Sequence, residues 1–115
     1  MQRPDKELAP AMPDESPLLC AAKRIAREVA SNGCTVSPGN RPEKFWVEGP
    51  RQLQGIPRML VFIENHAADD FQNTTPSRRA VMADRMRGSL ASTWSDAIEH
   101  AGSERHLHID SETLQ

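Results

Sequence analysis

The chain has 115 residues, of which 37% are hydrophobic and 26% are charged, a balance typical of one small domain with short tails. Fourteen Lys and Arg residues against sixteen Asp and Glu residues leave a net charge of −2, which excludes a global positive field that would attract nucleic acid or a membrane surface. The longest apolar run, residues 59–63, is far shorter than the roughly 20 residues that a membrane-spanning helix needs.

The first predicted helix follows a polar tail. Residues 1–15 contain three of the nine prolines and show no apolar periodicity, so we expect them to be disordered. Ser16 is a suitable N-cap, and Pro17 suits the first helical position. Apolar residues then recur at helical spacing, at Leu18, Ala22, Ile25 and Val29. This pattern predicts a helix that ends near Ser31.

Three short strands and a loop are predicted next. Residues 34–36 and 44–48 are rich in strand-forming side chains and flank a turn of Pro, Gly and Asn, which favours a hairpin. Residues 58–64 form the most apolar segment and predict the central strand. Residues 65–74 are polar apart from Phe71, and we expect a long loop there.

The second predicted helix has the same start signal as the first, with Thr75 before Pro76. Its apolar stripe continues to about Gly102 and consists of Met82, Met86, Leu90, Trp94, Ala97 and Ile98. The segment after it alternates polar and apolar residues, which predicts a half-buried final strand.

The predicted order is therefore helix, three strands, helix, strand. We expect an α+β fold, a two-layer sandwich in which a mostly antiparallel sheet of three or four strands carries both helices on one face. The domain is predicted to cover residues 16–111, with a C-terminal tail over residues 112–115.

One strand carries two neighbouring aromatic residues, Phe45 and Trp46. Neighbours on a strand point to opposite faces of the sheet, so one of the two cannot lie under the helices. Either the tail or a long loop covers that side chain, or it belongs to a partner or dimer surface.

A basic cluster opens the second helix at Ser77, Arg78 and Arg79, and Arg85 lies on the same helical face as Arg78. Cations oppose the positive end of the helix dipole, whereas free N–H groups together with guanidinium groups can bind phosphate or carboxylate. The alternative is a solvated face paired with nearby acidic residues. A second basic patch is predicted on the first helix, formed by Lys23, Arg24 and Arg27.

The order of elements, with Ser77, Arg78, Arg79 and Ala83 at the second helix, is similar in outline to the double-stranded RNA-binding domain, whose second helix opens with a basic cluster aimed at phosphates. The Gly-Pro-x-His turn of that family is not recognisable here, and a fourth strand follows. The family is therefore not assigned, and nucleic-acid binding is kept as an alternative.

Two sites could carry chemistry. His106, His108 and Asp110 project from one side of a strand, as ligands of a divalent metal can, although the polar outer side of an edge strand has the same pattern. Cys20 has basic residues three, four and seven positions further on, which would favour its thiolate, and the alternative is an incidental exposed thiol. No motif implies a cofactor.

The two halves of the chain differ in charge. Residues 16–62 carry seven basic and three acidic residues, whereas residues 63–115 carry five basic and nine acidic residues. Either the halves attract each other within the fold, or a two-sided surface docks on a charged partner. The absence of an apolar N-terminal segment and of a Cys-x-x-Cys pair predicts a cytoplasmic protein.

These features favour a small binding protein without catalytic activity, an adaptor or inhibitor that docks on a larger macromolecule. A bacterial or phage accessory protein fits the high arginine and alanine content. The predicted contact residues are Arg78, Arg79, Arg85, Lys23, Arg24, Arg27, Phe45 and Trp46. Nucleic-acid binding through the arginines, a metal-dependent or thiol enzyme, and a homodimer are the alternatives.

Overall fold

The computed structural model describes residues 15–31 and 33–115. The tail predicted over residues 1–15 lies outside the described residues, except for Glu15. The helices are α1 (Pro17–Ala30), α2 (Asn65–Gln72) and α3 (Pro76–Glu99), and the strands are β1 (Thr35–Pro38), β2 (Lys44–Glu48), β3 (Arg58–Ile63) and β4 (Glu104–Ile109).

The two long helices begin where their capping signals predict. The Ser16 side chain accepts a hydrogen bond of 3.1 Å from the backbone N–H of Leu19, and Thr75 accepts one of 3.1 Å from Arg78. Each cap satisfies one of the N–H groups that a helix start leaves without an intrahelical partner. A proline follows each cap, so both predicted helix starts are confirmed.

The four strands form one sheet in the order β1-β2-β3-β4. The first two pairings are antiparallel, and β4 pairs parallel with β3. The predicted α+β fold with a mostly antiparallel sheet is therefore confirmed. The parallel pair requires a long crossover connection, which α2 and α3 provide. This fourth strand is also where the chain departs from the outline of the double-stranded RNA-binding domain.

The loop predicted over residues 65–74 is wrong, because residues Asn65–Gln72 form the helix α2. Its eight residues bury only Ala67, Ala68 and Phe71, so the apolar pattern is too short to stand out from a polar loop. The described residues therefore contain three helices, whereas the sequence pattern predicted two.

The helices cover one face of the sheet. Helix α1 contacts β1 and β2, α3 contacts β3 and β4, and the two helices contact each other. Alternate strand residues point into this layer and are fully buried, among them Phe45, Val61 and Ile109. Leu114 is also fully buried, so the residues predicted as a C-terminal tail contribute to the core.

Candidate interaction face

The face of the sheet opposite the helices is the candidate site. We call it the open face, and the strand pairing assigns to it Thr35, Ser37, Lys44, Trp46, Glu48, Arg58, Leu60, Phe62, Glu104, His106 and His108. Its strand side chains are half-buried or exposed, whereas their neighbours on β2 and β3 that point toward the helices are buried. Within the described residues, helices thus cover the strands on one side only.

The alternation on β2 decides between the two neighbouring aromatic residues. Phe45 is fully buried beneath the helices. It is therefore a core residue, and its prediction as a contact residue is corrected. Trp46 lies on the open face and is half-buried. Of the two, only Trp46 is placed where a partner can reach it.

Two further apolar residues join Trp46 on the open face. Leu60 is paired with Trp46 across β2 and β3, and Phe62 follows two residues later on the same side of β3. We call Trp46, Leu60 and Phe62 the apolar strip. The sequence pattern missed Leu60 and Phe62 because they lie inside a continuous apolar run. That run nevertheless contains the signal, since alternate residues of any strand face opposite sides.

Charged side chains border the apolar strip at one end. The Arg58 guanidinium lies 4.4 Å from the centre of the Trp46 ring and donates hydrogen bonds to Glu48 at 2.9 Å and Glu104 at 3.3 Å. Exposed ion pairs of this kind add little stability. Their effect is to hold the guanidinium over the indole and to neutralise its charge.

His108 borders the strip at the other end, beside Phe62, and His106 lies beside Leu60. His108 Nε2 lies 2.9 Å from a carboxylate oxygen of Glu64, and the His108 ring is 4.8 Å from that of Phe62. The Lys44 ammonium group lies 5.5 Å from the centre of the Phe62 ring. A shallow cavity of about 370 Å³ opens here, lined by Arg41, Lys44, Leu60, Phe62, His106, Leu107 and His108.

The three residues predicted as a metal site are not brought together as ligands. Asp110 instead accepts hydrogen bonds from the N–H of Thr113 at 3.0 Å and from its hydroxyl at 2.9 Å. These bonds hold the pKa of the Asp110 carboxyl below its ordinary value. His106 lies 3.4 Å from Glu104. Over residues 15–31 and 33–115, no three His, Cys, Asp or Glu residues are arranged to hold a metal ion.

The arginines of α3 do not form one patch. Arg79 donates to the backbone carbonyls of Phe71 at 2.9 Å and Thr74 at 3.1 Å, so it holds the end of α2 in place. Arg78 lines a hollow beside Asp69 and Asp70, whereas Arg85 lines a different groove next to β4. Arg79 therefore has a structural role and does not belong to the phosphate site predicted at the start of this helix.

The basic side chains of α1 lie close to carboxylates. Lys23 pairs with Glu15 at 2.5 Å, and Arg24 lies 3.8 Å from Glu28. Glu28 also accepts a hydrogen bond of 2.6 Å from Arg87 on α3. This α1–α3 pair joins an acid of the basic half to a base of the acidic half, so it is not the attraction that the net charges of the halves predict. A contact of the predicted kind joins Arg58 to Glu104, and Arg27 is exposed.

Cys20 is exposed, as predicted, but its surroundings do not favour the thiolate. Desolvation of the sulfur and the neighbouring Glu15 carboxylate raise the pKa of the Cys20 thiol, and this outweighs the opposite effect of Lys23. A raised pKa disfavours nucleophilic chemistry at neutral pH.

No protein-family model, curated protein or solved structure matches the chain. Among the described residues, no helix is both long and apolar enough to cross a membrane.

Proposed function

We propose that the protein is a non-enzymatic adaptor or inhibitor that docks on a larger protein through its open face. The observation that carries the proposal is the apolar strip, three large side chains on the face that the helices leave uncovered. Aromatic side chains at the centre of an interface often supply most of the binding energy, and charged residues are typical of its rim. Trp46 is central here, with Arg58 and Lys44 on either side.

The charges of the open face favour a protein over a nucleic acid. Arg58 lies between Glu48 and Glu104, and His108 lies against Glu64. Nucleic-acid binding depends on cations that neutralise phosphates, and carboxylates at the same place oppose it. A protein surface with an apolar centre and both charges at its rim is the complementary partner.

Matched variants test this proposal. Tagged wild-type protein, Trp46→Ala and Leu53→Ser are used to capture partners from a lysate of the source cells, with nuclease and at moderate salt. Leu53 is the control because its side chain is fully exposed in the loop between β2 and β3. We expect the same protein to be captured by the wild type and by Leu53→Ser, and at least about thirtyfold weaker binding to Trp46→Ala.

Two outcomes would overturn the proposal. One is equal capture by the wild type and Trp46→Ala, because the partner would then bind elsewhere. The other is recovery of nucleic acid alone, lost on raising the salt, which would support the alternative of binding through the arginines. Thermal unfolding of each variant confirms that it is folded, and Phe62→Ala replaces Trp46→Ala if the latter is not.

A further inference from the structure

The outer edge of β4 carries backbone groups that the sheet does not use. The Glu64 N–H donates to the Ile109 carbonyl at 3.0 Å, so the backbone groups of Ile109 face β3. Because these groups alternate along a strand, those of Glu104, His106 and His108 face outward. No strand of the described residues pairs with that side, since β4 is the last strand of the sheet.

We propose that this edge pairs with the same edge of a second copy of the chain, in antiparallel orientation about a twofold axis. In an antiparallel pair, residues whose backbone groups face each other exchange two hydrogen bonds. All three outward-facing residues find partners only when His106 of one copy lies opposite His106 of the other. Registers shifted by two or four residues leave two pairs or one.

The side chains are compatible with the same register. With His106 on the twofold axis, Glu104 of each copy lies opposite His108 of the other, on the open face. A carboxylate opposite an imidazole can accept a hydrogen bond from the ring N–H, and His106 lies opposite His106 on the axis. The registers shifted by four residues would place Glu104 opposite Glu104 or His108 opposite His108. Backbone geometry therefore selects one arrangement, since it alone pairs all three outward-facing residues.

The groove beside β4 leaves room for the second copy. It lies between β4 and α3 and is lined by Asp84, Arg85, Gly88, Ser89, Ser92, Thr93, Leu107, Thr113 and Gln115. Gly88 stands in the interior of α3, where glycine is less stable than alanine. Among the described residues, and apart from its chain neighbours and the surrounding helix backbone, a Cβ atom added there would meet no atom within 4 Å. Packing among the described residues does not require this glycine, and the open space beside it leaves room for a second helix.

One hydrogen bond on the outer edge of β4 must break when the dimer forms. The Thr113 hydroxyl donates to the His108 carbonyl over 3.4 Å, a long hydrogen bond. In the dimer, the N–H of Glu104 from the second copy donates to the His108 carbonyl instead. The Thr113 hydroxyl keeps its 2.9 Å bond to Asp110.

The test compares His106→Pro with His106→Ala in sedimentation and light-scattering measurements over a range of concentrations. Proline removes the outward N–H and leaves the pairing with β3 intact, because edge strands tolerate proline where the N–H faces away from the sheet. Alanine removes the same side chain and keeps the N–H. We expect wild type and His106→Ala to have twice the chain mass of 12.8 kDa, and His106→Pro to dissociate at least about tenfold more readily.

The proposal is overturned if the wild type is a monomer at about 1 mM, or if His106→Pro associates as tightly as the wild type. If His106→Pro does not fold, Gly88→Gln takes its place, since a Cβ atom at this position has open space among the described residues and a longer side chain would obstruct the second helix. The inference is independent of the proposed function, and Trp46→Ala is expected to remain a dimer.

Discussion

The two faces of the sheet differ although the same strands build both. On the face under the helices, β2 and β3 place residues such as Phe45 and Val61, which are fully buried. On the open face, Trp46 and Phe62 come from the same strands and lie beneath cationic side chains instead. One face therefore stabilises the fold, while the other exposes apolar area that the described part of the chain only partly shields.

Phe45→Ala and Trp46→Ala test whether the two faces of the sheet contribute differently to stability. Phe45 is fully buried, so its truncation leaves a cavity and is expected to cost about 3–5 kcal/mol of unfolding free energy. Trp46 is half-buried with a guanidinium over its ring, and its truncation should cost no more than about 2 kcal/mol. Urea unfolding of both variants measures the two values. Equal losses would mean that the open face is as much a part of the core as the covered one.

Arg79→Ala tests whether Arg79 holds helix α2 in place and so stabilises the fold. Its hydrogen bonds to the carbonyls of Phe71 and Thr74 are expected to contribute about 1.5–3 kcal/mol, because one partner is charged. Arg78→Ala is the matched control, since its side chain is exposed at the neighbouring position. Thermal unfolding should show a clear loss for the first variant and little change for the second. Similar losses would contradict the role of Arg79 as the residue that holds the end of α2.

Arg58→Ala tests whether the Arg58 guanidinium shields the Trp46 ring on the open face. Its ion pairs with Glu48 and Glu104 are partly exposed, so we expect a stability loss of about 0–1 kcal/mol. Removal of the guanidinium should nevertheless uncover the Trp46 ring. Acrylamide quenching of Trp46 fluorescence, in a Trp94→Phe background, should therefore increase. Unchanged quenching would show that the guanidinium does not shield the indole.

The smallest expected effect concerns the pH dependence of stability through Glu15. Its hydrogen bond from Lys23 holds the pKa of the Glu15 carboxyl below the usual 4.5. A lowered folded-state pKa stabilises the fold above pH 4.5, and this stabilisation is lost as the pH falls through the folded-state value. Glu15→Gln should therefore remove a small part of the acid dependence, as measured by urea unfolding from pH 3 to pH 7. An identical acid dependence in both proteins would contradict the assignment.

The helices and strands with strong local signals could be predicted from the sequence. Ser16 with Pro17, and Thr75 with Pro76, are local capping patterns, and long apolar stripes identify the two helices that follow. The short α2 could not be recognised, because its few buried residues resemble a polar loop. The structural role of Arg79 was missed for the same reason, since its acceptors lie at the end of that helix.

The candidate site could be predicted only in part. Strand alternation alone shows that Phe45 and Trp46 lie on opposite faces, but the choice between them depends on which face the helices cover. The pairing of Trp46 with Leu60 requires the register of β2 against β3, which is a long-range property. Spacing along α3 suggested that Arg78 and Arg85 act together, whereas the neighbouring elements place them beside different hollows.

The most direct test of the central claim is site-specific photo-crosslinking in the source cells. A photoreactive amino acid is placed at position 46 on the open face and, as the control, at position 53 in the exposed loop between β2 and β3. We predict one discrete protein adduct from position 46 and none of that mass from position 53. Adducts of the same protein from both positions, adducts to nucleic acid only, or no adduct from position 46 would contradict the claim that the open face binds a protein.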